Sequence, residues 1–175
     1  MYNIKFDNHF NLINWSCIYW GIKEQLIEPE NAVIYANKVI EKNPDIDTPE
    51  IIELLIIDEA NNDNVLPLIE RMFSDKKELE NRKAISIRTL RFIFLYEIQK
   101  NITDNQKLLD SIETIYADFN YPLDMESFIS YMPIQDDEYD TSMHSIQENE
   151  QRLIDKFNTF MNKEFNMLIK NENNR

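Results

Sequence analysis

The sequence predicts an all-α protein: a single compact domain of about seven or eight helices, arranged as helical hairpins around a central buried helix. Apolar residues recur at three- and four-residue spacing along most of the 175-residue chain. Gly21 is the only glycine, whereas hairpin-rich β proteins need several for their turns. Strand-like alternation is confined to "YNIKF" near the start, which has no evident partner strand.

The first three helices are predicted from apolar spacing and from prolines. One begins at about Ser16. The segment "EPENAVIYANKVIEKNP" has Pro29 at a plausible first helical position and an apolar face that ends before Pro44. A third helix follows in "DTPEIIELLIIDEA", with Asp47 as its expected N-cap and Pro49 in its first turn.

The middle of the chain predicts a short helix and then a long one. "DNVLPLIERMF" tolerates Pro67 only near a helix start, where amide donors lack partners in any case. The long helix is predicted from about Asp75 to Lys100, and Asp75 and Glu78 have the spacing of a capping box. Its second half, "LRFIFLYEI", is apolar nearly all round, so we expect it to be the central buried helix.

The next helix is predicted to begin at a cap formed by Thr103 and Gln106 and to end near Phe119. The sequence "NYP" supports this end. The residue before a proline is pushed away from the α conformation, so Tyr121 is expected to be extended before Pro122. The aromatic residues of "IYADFNYP" are therefore expected to pack at a corner between two helices.

The last part of the chain predicts a short helix after that corner, stopped by Pro133, and then a loop, "PIQDDEYDTSMHS". A final helix is expected over roughly residues 145–170, and residues 171–175 are expected to fray. No composition shift marks a domain boundary, so we predict one domain over residues 1–175.

Several classes of function are disfavoured. Phosphate-binding loops, dinucleotide fingerprints and nucleophile elbows need glycines that this chain lacks. His9 and His144 are outside any metal-binding pattern, so surface or capping roles are expected. Cys17 is expected to be a buried thiol, since nothing nearby in sequence would activate it. We predict no catalytic residue, no cofactor and no metal.

The charge pattern favours a basic partner. The formal net charge is −14, and eleven acidic residues but no lysine or arginine lie between Lys107 and Arg152. Such a chain repels nucleic acid and anionic membranes and attracts basic proteins. Basic residues near Arg91 are expected to neutralise acidic residues of other helices. With no secretory signal and no segment apolar enough to span a bilayer, a cytoplasmic location is predicted.

Four short segments carry a resemblance to a known family. "IYADFNYP" followed by "FISYMP", with "WSCIYWGI" near the start and "RLIDKF" near the end, resembles a family of uncharacterised bacterial proteins classed as a domain of unknown function. The resemblance spans about Trp15 to Phe160 and implies one compact, largely helical domain. It implies no activity and no catalytic residue.

We therefore hypothesise a non-enzymatic acidic binding protein, of the bacterial immunity or inhibitor type, that neutralises a basic partner such as a toxin domain. The immunity role is an analogy of size and charge. The candidate partner-binding residues are acidic or aromatic and lie in the acid-rich stretch: Asp118, Asp124, Glu126, Asp136, Asp137, Glu138, Tyr139 and Asp140. The alternatives are an enzyme with an unrecognised carboxylate or cofactor site, and a helical adaptor. The oligomeric state is left open.

Overall fold

The structure, a computed structural model, describes residues 1–2, 4–57, 63–134 and 139–172. These residues form nine α-helices, seven of them with seven or more residues, and no strand. The all-α prediction is confirmed. Among the described residues of "YNIKF", Tyr2 forms an isolated bridge with Ile27, and the Tyr2 N–H donates to the Leu26 carbonyl at 2.8 Å.

The chain divides into two units, Met1–Leu90 and Arg91–Arg175, with the division inside a helix. The single-domain reading stays a prediction. In its described residues the first unit holds α1 (Phe6–His9), α2 (Trp15–Lys23), α3 (Glu30–Lys42), α4 (Pro49–Leu55), α5 (Val65–Arg71), α6 (Lys76–Asn81) and the start of α7 (Lys83–Asn101).

The second unit holds the rest of α7, then α8 (Asn105–Asp118), a 3-10 helix (Leu123–Phe128), a shorter 3-10 helix (Thr141–Met143) and α9 (Ile146–Glu172). The end of α8 and the beginning of α9 agree with the sequence prediction within one residue. α9 continues to Glu172, past the point where fraying was predicted.

Trp20 is the largest fully buried side chain of the first unit, and its indole N–H donates to the Leu79 carbonyl at 2.9 Å. In an uninterrupted helix that carbonyl would accept from the amide of Lys83. The predicted single helix from Asp75 to Lys100 is accordingly wrong: it is interrupted at Arg82, between α6 and α7. The indole of Trp20 thus occupies the carbonyl at the point where the helix is interrupted.

Gly21 lies inside α2, at a position where the side chains of Ile27 and Leu90 come close to the backbone. A Cβ at this position would lie 2.8 Å from Cδ1 of Ile27 and 3.0 Å from Cδ1 of Leu90, both buried. Those distances are shorter than van der Waals contact allows. The chain's one glycine therefore serves helix packing in the first unit.

The second unit is built around the apolar part of α7. Arg91 to Leu95 are five consecutive buried residues, as expected for a helix that is apolar all round. Phe128 packs on the rings of Phe157 and Phe160, with centroids 5.6 and 5.1 Å apart. Phe128 is the last residue of a 3-10 helix. A 3-10 helix has three residues per turn, so Met125 and Phe128, both buried, lie on the same side of it.

The segment "IYADFNYP" ends α8 with a Schellman motif. The Tyr121 N–H donates to the Tyr116 carbonyl at 2.9 Å, and the Asn120 N–H donates to the Ala117 carbonyl at 3.0 Å. Asn120 and Tyr121 have φ angles of 61° and 56°. The prediction of an extended Tyr121 is therefore wrong: hydrogen bonding to the helix end imposes a left-handed conformation instead.

The Schellman motif gives a stability prediction. Replacing Asn120 by glycine should raise the free energy of unfolding by about 0.5 kcal/mol, because glycine adopts positive φ without a Cβ penalty. Replacing it by alanine should lower that free energy by about 1 kcal/mol. Urea unfolding of the two variants checks this, and alanine matching or exceeding glycine would contradict the left-handed assignment.

Helix caps were predicted with mixed success. Asp75 caps α6 as expected, accepting from the Glu78 N–H at 2.7 Å. The Asp47 prediction is wrong, since Thr48 is the N-cap of α4 and its side chain makes no capping bond. The cap predicted at Thr103 is shifted by one residue: Asp104 caps α8 by accepting from the Lys107 N–H at 2.9 Å.

Of the three side chains weighed for catalysis or metal binding, Cys17 and His9 are buried and His144 is exposed. Cys17 is a buried free thiol, as predicted. His9 is also buried, so the surface role predicted for it is wrong, while the capping role stays a prediction. It ends α1, a short helix absent from the sequence prediction, which also buries Phe6.

Candidate interaction surface

A cleft of about 280 Å³ opens in the second unit between α8, the longer 3-10 helix and the beginning of α9. Apolar side chains, among them Leu109, Ile129 and Leu153, form part of its lining. The carboxylates of Glu126 and Glu150 line it as well. The cleft therefore combines apolar surface with two half-buried acidic groups.

A capping box starts α9 and thereby positions its first turns at the cleft. The Ser145 N–H donates to the Glu148 carboxylate at 2.8 Å, and the Glu148 N–H donates to the Ser145 hydroxyl at 3.2 Å. The bonds from the Ser145 amide and hydroxyl lower the pKa of Glu148. With α9 beginning at Ile146, residues Asn149, Glu150 and Arg152 reach the cleft lining.

Tyr139, predicted as an aromatic anchor for a partner, is half-buried against neighbours of the cleft. Its hydroxyl donates to Oδ1 of Asn149 at 2.8 Å. The imidazole of His144 stacks on its ring at 4.5 Å, and the guanidinium of Arg152 lies 4.3 Å from the ring centroid. These contacts hold the loop before α9 against the helix and engage the ring within the protein itself.

Asp140, the next predicted residue, is exposed and remains ionised at neutral pH. Its carboxylate accepts from the Ser142 hydroxyl at 2.7 Å and from the Ser142 N–H at 2.9 Å. These bonds lower the pKa of Asp140, and the nearby charge of His144 lowers it further. The carboxylate caps the 3-10 helix that contains Thr141, a residue of the cleft lining.

Asp124, a candidate partner-binding residue, has its carboxylate engaged within the protein. Its two oxygens accept from the guanidinium of Arg91 at 2.9 and 2.6 Å, while its side chain is 43% exposed. Arg91 lies in the buried part of α7, where a charge needs a partner. The expected pairing of Arg91 with acidic residues of other helices is thus confirmed, and Glu164 on α9 joins it at 3.9 Å.

The predicted partner-binding residues therefore fall into three groups. Glu126 lines the cleft, and Tyr139 and Asp140 lie against or cap its neighbouring segments. Asp118, exposed at the end of α8, and Asp124 are not in the cleft lining. The remaining three, Asp136, Asp137 and Glu138, lie outside the described residues.

Some residues at the cleft were missed from the sequence. Glu150 and Arg152 line it, as does Ile146, which is largely exposed at the start of α9. Met143 is exposed nearby in sequence. The sequence did contain a signal for Ile146. The pattern Ser145-x-x-Glu148 predicts a helix that begins at Ile146. Because the residues around Ile146 are polar, its side chain could be expected to lie outside the hydrophobic core.

No group of three or more histidine, cysteine, aspartate or glutamate side chains in the described ranges is arranged to hold a metal ion. Among the helices of those ranges, none has the length and apolar character needed to cross a membrane.

Comparison with known proteins identifies a family. No curated protein and no solved structure matches the chain. A family model described as "Uncharacterized protein conserved in bacteria (DUF2247)" matches residues 4–165, a span wider at both ends than the one the four motifs suggest. The chain therefore belongs to this family of uncharacterised bacterial proteins.

Proposed function

We propose that the protein is a non-enzymatic binding protein of the immunity or inhibitor type, which acts in the bacterial cytoplasm and neutralises a basic partner such as a toxin domain. The observation that supports this most directly is the cleft of the second unit, where Glu126 and Glu150 lie among apolar side chains. A basic side chain has an aliphatic stem and a charged end, and such a cleft suits both.

The surrounding charge supports the same proposal. Eleven acidic residues and no lysine or arginine lie between Lys107 and Arg152, so the sequence forming most of the cleft carries one sign of charge. A predominantly acidic surface accelerates the encounter with an oppositely charged partner and disfavours acidic competitors. Arg152, which lines the cleft, has its guanidinium over the ring of Tyr139.

Charge reversal at the cleft tests the proposal. The variant Glu126→Lys with Glu150→Lys changes the net charge from −14 to −10, since each substitution adds two units. We expect it to retain about tenfold less of a basic host protein in an affinity pull-down, because attraction becomes repulsion at both sites. Retention by the original protein should decrease when the wash is changed from low to high salt.

The matched control is Asp45→Lys with Asp47→Lys, two exposed positions in the first unit that give the same net charge of −10. We expect this variant to retain the partner like the original protein. An equal loss in both variants would show that overall charge acts instead of the cleft. Co-expression with the retained protein then measures neutralisation, and growth no better than without this chain would contradict the immunity role.

A further inference from the structure

A second feature of the second unit is an exposed surface made by Tyr121, Leu123 and Tyr131, which we call the tyrosine surface. Their exposed fractions are 57%, 81% and 59%, high for large apolar or aromatic residues. The buried Tyr116 connects the two tyrosines: its ring centroid lies 5.3 Å from that of Tyr121 and 6.4 Å from that of Tyr131. The three rings thus form a continuous aromatic patch.

The backbone on both sides of the patch is held in place. The Schellman motif places Tyr121 in its left-handed conformation, with its ring edge-on to Tyr116. Next to Tyr131, the Ser130 N–H donates to the Glu113 carboxylate at 3.1 Å, and the Ser130 hydroxyl donates to the same oxygen. Aromatic side chains on a fixed backbone lose little conformational entropy on binding, which favours them as anchors.

Two carboxylates, those of Glu113 and Glu126, act on the rings of the patch. Loss of water contact, together with the negative charge of Glu113, raises the pKa of Tyr131. Loss of water contact also raises the pKa of Tyr116, as does the charge of Glu126. The rings are therefore neutral at physiological pH and lie in a negative field. No lysine or arginine occurs in this part of the sequence to offset that field.

We propose that the tyrosine surface is the docking site for an arginine-bearing segment of the basic partner, with guanidinium groups over the exposed rings and paired with neighbouring carboxylates. Arginine suits this surface better than lysine, because its planar, weakly hydrated group stacks on aromatic faces and binds carboxylates in two places. A second copy of this chain would bring like charges together, which disfavours self-association here. The inference rests on the proposed function and adds the chemistry of the partner.

The test titrates the full chain at low salt with a capped synthetic peptide in which arginine alternates with serine, using calorimetry. Leu123→Lys places a positive charge at the most exposed residue of the tyrosine surface without removing a ring contact. We expect it to weaken binding about five- to tenfold, and Tyr131→Ala to weaken it by a similar factor. Ile56→Lys, at a 79% exposed position of the first unit, should change the affinity less than about twofold.

Three results would overturn the inference: equal weakening by Leu123→Lys and Ile56→Lys, equal binding of a peptide with glutamine in place of arginine, or a dimer of the original protein that Leu123→Lys dissociates. Thermal unfolding of each variant confirms that it is folded.

If the pull-down retains a basic protein whose binding Leu123→Lys leaves unchanged, the proposed function stands and this docking site is wrong. If the peptide binds as expected but no host protein is neutralised, the docking site stands and the immunity role fails.

Discussion

Replacing Arg91 by methionine should lower the free energy of unfolding by about 3 to 5 kcal/mol, because it removes the buried guanidinium that interacts with both Asp124 and Glu164. The side chain of Glu164, only 4% exposed, would lose the guanidinium that lies 3.9 Å away. Asp124 would lose two hydrogen bonds, but its exposed part can be solvated. Urea unfolding at neutral pH measures the difference.

Two further variants separate charge from packing. Arg91→Lys keeps the charge but loses the two-pronged contact with Asp124, so we expect an intermediate loss of about 1 to 3 kcal/mol. Combining Arg91→Met with Glu164→Met removes both buried charges and should recover much of the loss. If the double variant is less stable than Arg91→Met by the full cost of a second core substitution, the loss in Arg91→Met does not come from the missing contact with Glu164.

Replacing Trp20 by alanine should lower the free energy of unfolding by about 3 to 5 kcal/mol through the loss of a large buried side chain in the first unit. The ring also packs edge-on against Tyr19 at 5.2 Å and lies within 4.6 Å of the ammonium groups of Lys23 and Lys83. Thermal and urea unfolding, followed by circular dichroism, measure the loss of helical structure.

Trp20→Phe isolates the indole hydrogen bond from the packing. It removes the indole donor that binds the Leu79 carbonyl at 2.9 Å, while that carbonyl keeps the Arg82 N–H at 3.2 Å, so we expect a loss of about 1 kcal/mol. Hydrogen exchange at the amides around Arg82 should also change, because the freed carbonyl can accept from Lys83 within a longer helix. An unchanged exchange pattern there would show that Trp20 does not cause the break between α6 and α7.

Helix positions could be predicted well from local pattern, since an amphipathic helix records its buried face in the spacing of its apolar residues. The positions of α3, α8 and α9 were predicted on that basis and are confirmed. The buried face of α3 differs from its apolar spacing, since it contains Asn31 and Tyr35 while Ile34 is exposed. The cap at Asp75 was also predictable, because a capping box uses residues three positions apart. Such features depend on neighbours in sequence, so the sequence is sufficient to locate them.

The errors occur where a local signal allows several answers. Asp47 and Thr48 are both good N-cap residues, as are Thr103 and Asp104, so burial of the helix face selects the register. The corner at "NYP" was partly readable, because Asn120 is the kind of residue that accepts left-handed geometry at a helix end. A short helix after Pro122 was predicted, but its 3-10 form and its end at Phe128, before Pro133, were not.

For the candidate site as well, the composition could be predicted from the sequence but the contacts could not. That the stretch before Arg152 is acidic and aromatic follows from composition, and no tertiary contact can change its net charge. Which carboxylate is engaged within the protein could not be predicted. Asp124 and Glu126 are two residues apart, yet one pairs with Arg91 and the other lines the cleft. Likewise, Tyr131 is exposed whereas Tyr139 is half-buried.

The sequence by itself therefore determined the helical class, the approximate helix positions, the family and the sign of the charge around the candidate site, because each depends on residue identity and short-range spacing. Only the tertiary structure decided which charges are paired, where the helix between Asp75 and Lys100 is interrupted, and which tyrosines lie at the surface. These depend on contacts between residues far apart in the chain, whose geometry is set by packing of the whole unit and not by any local pattern.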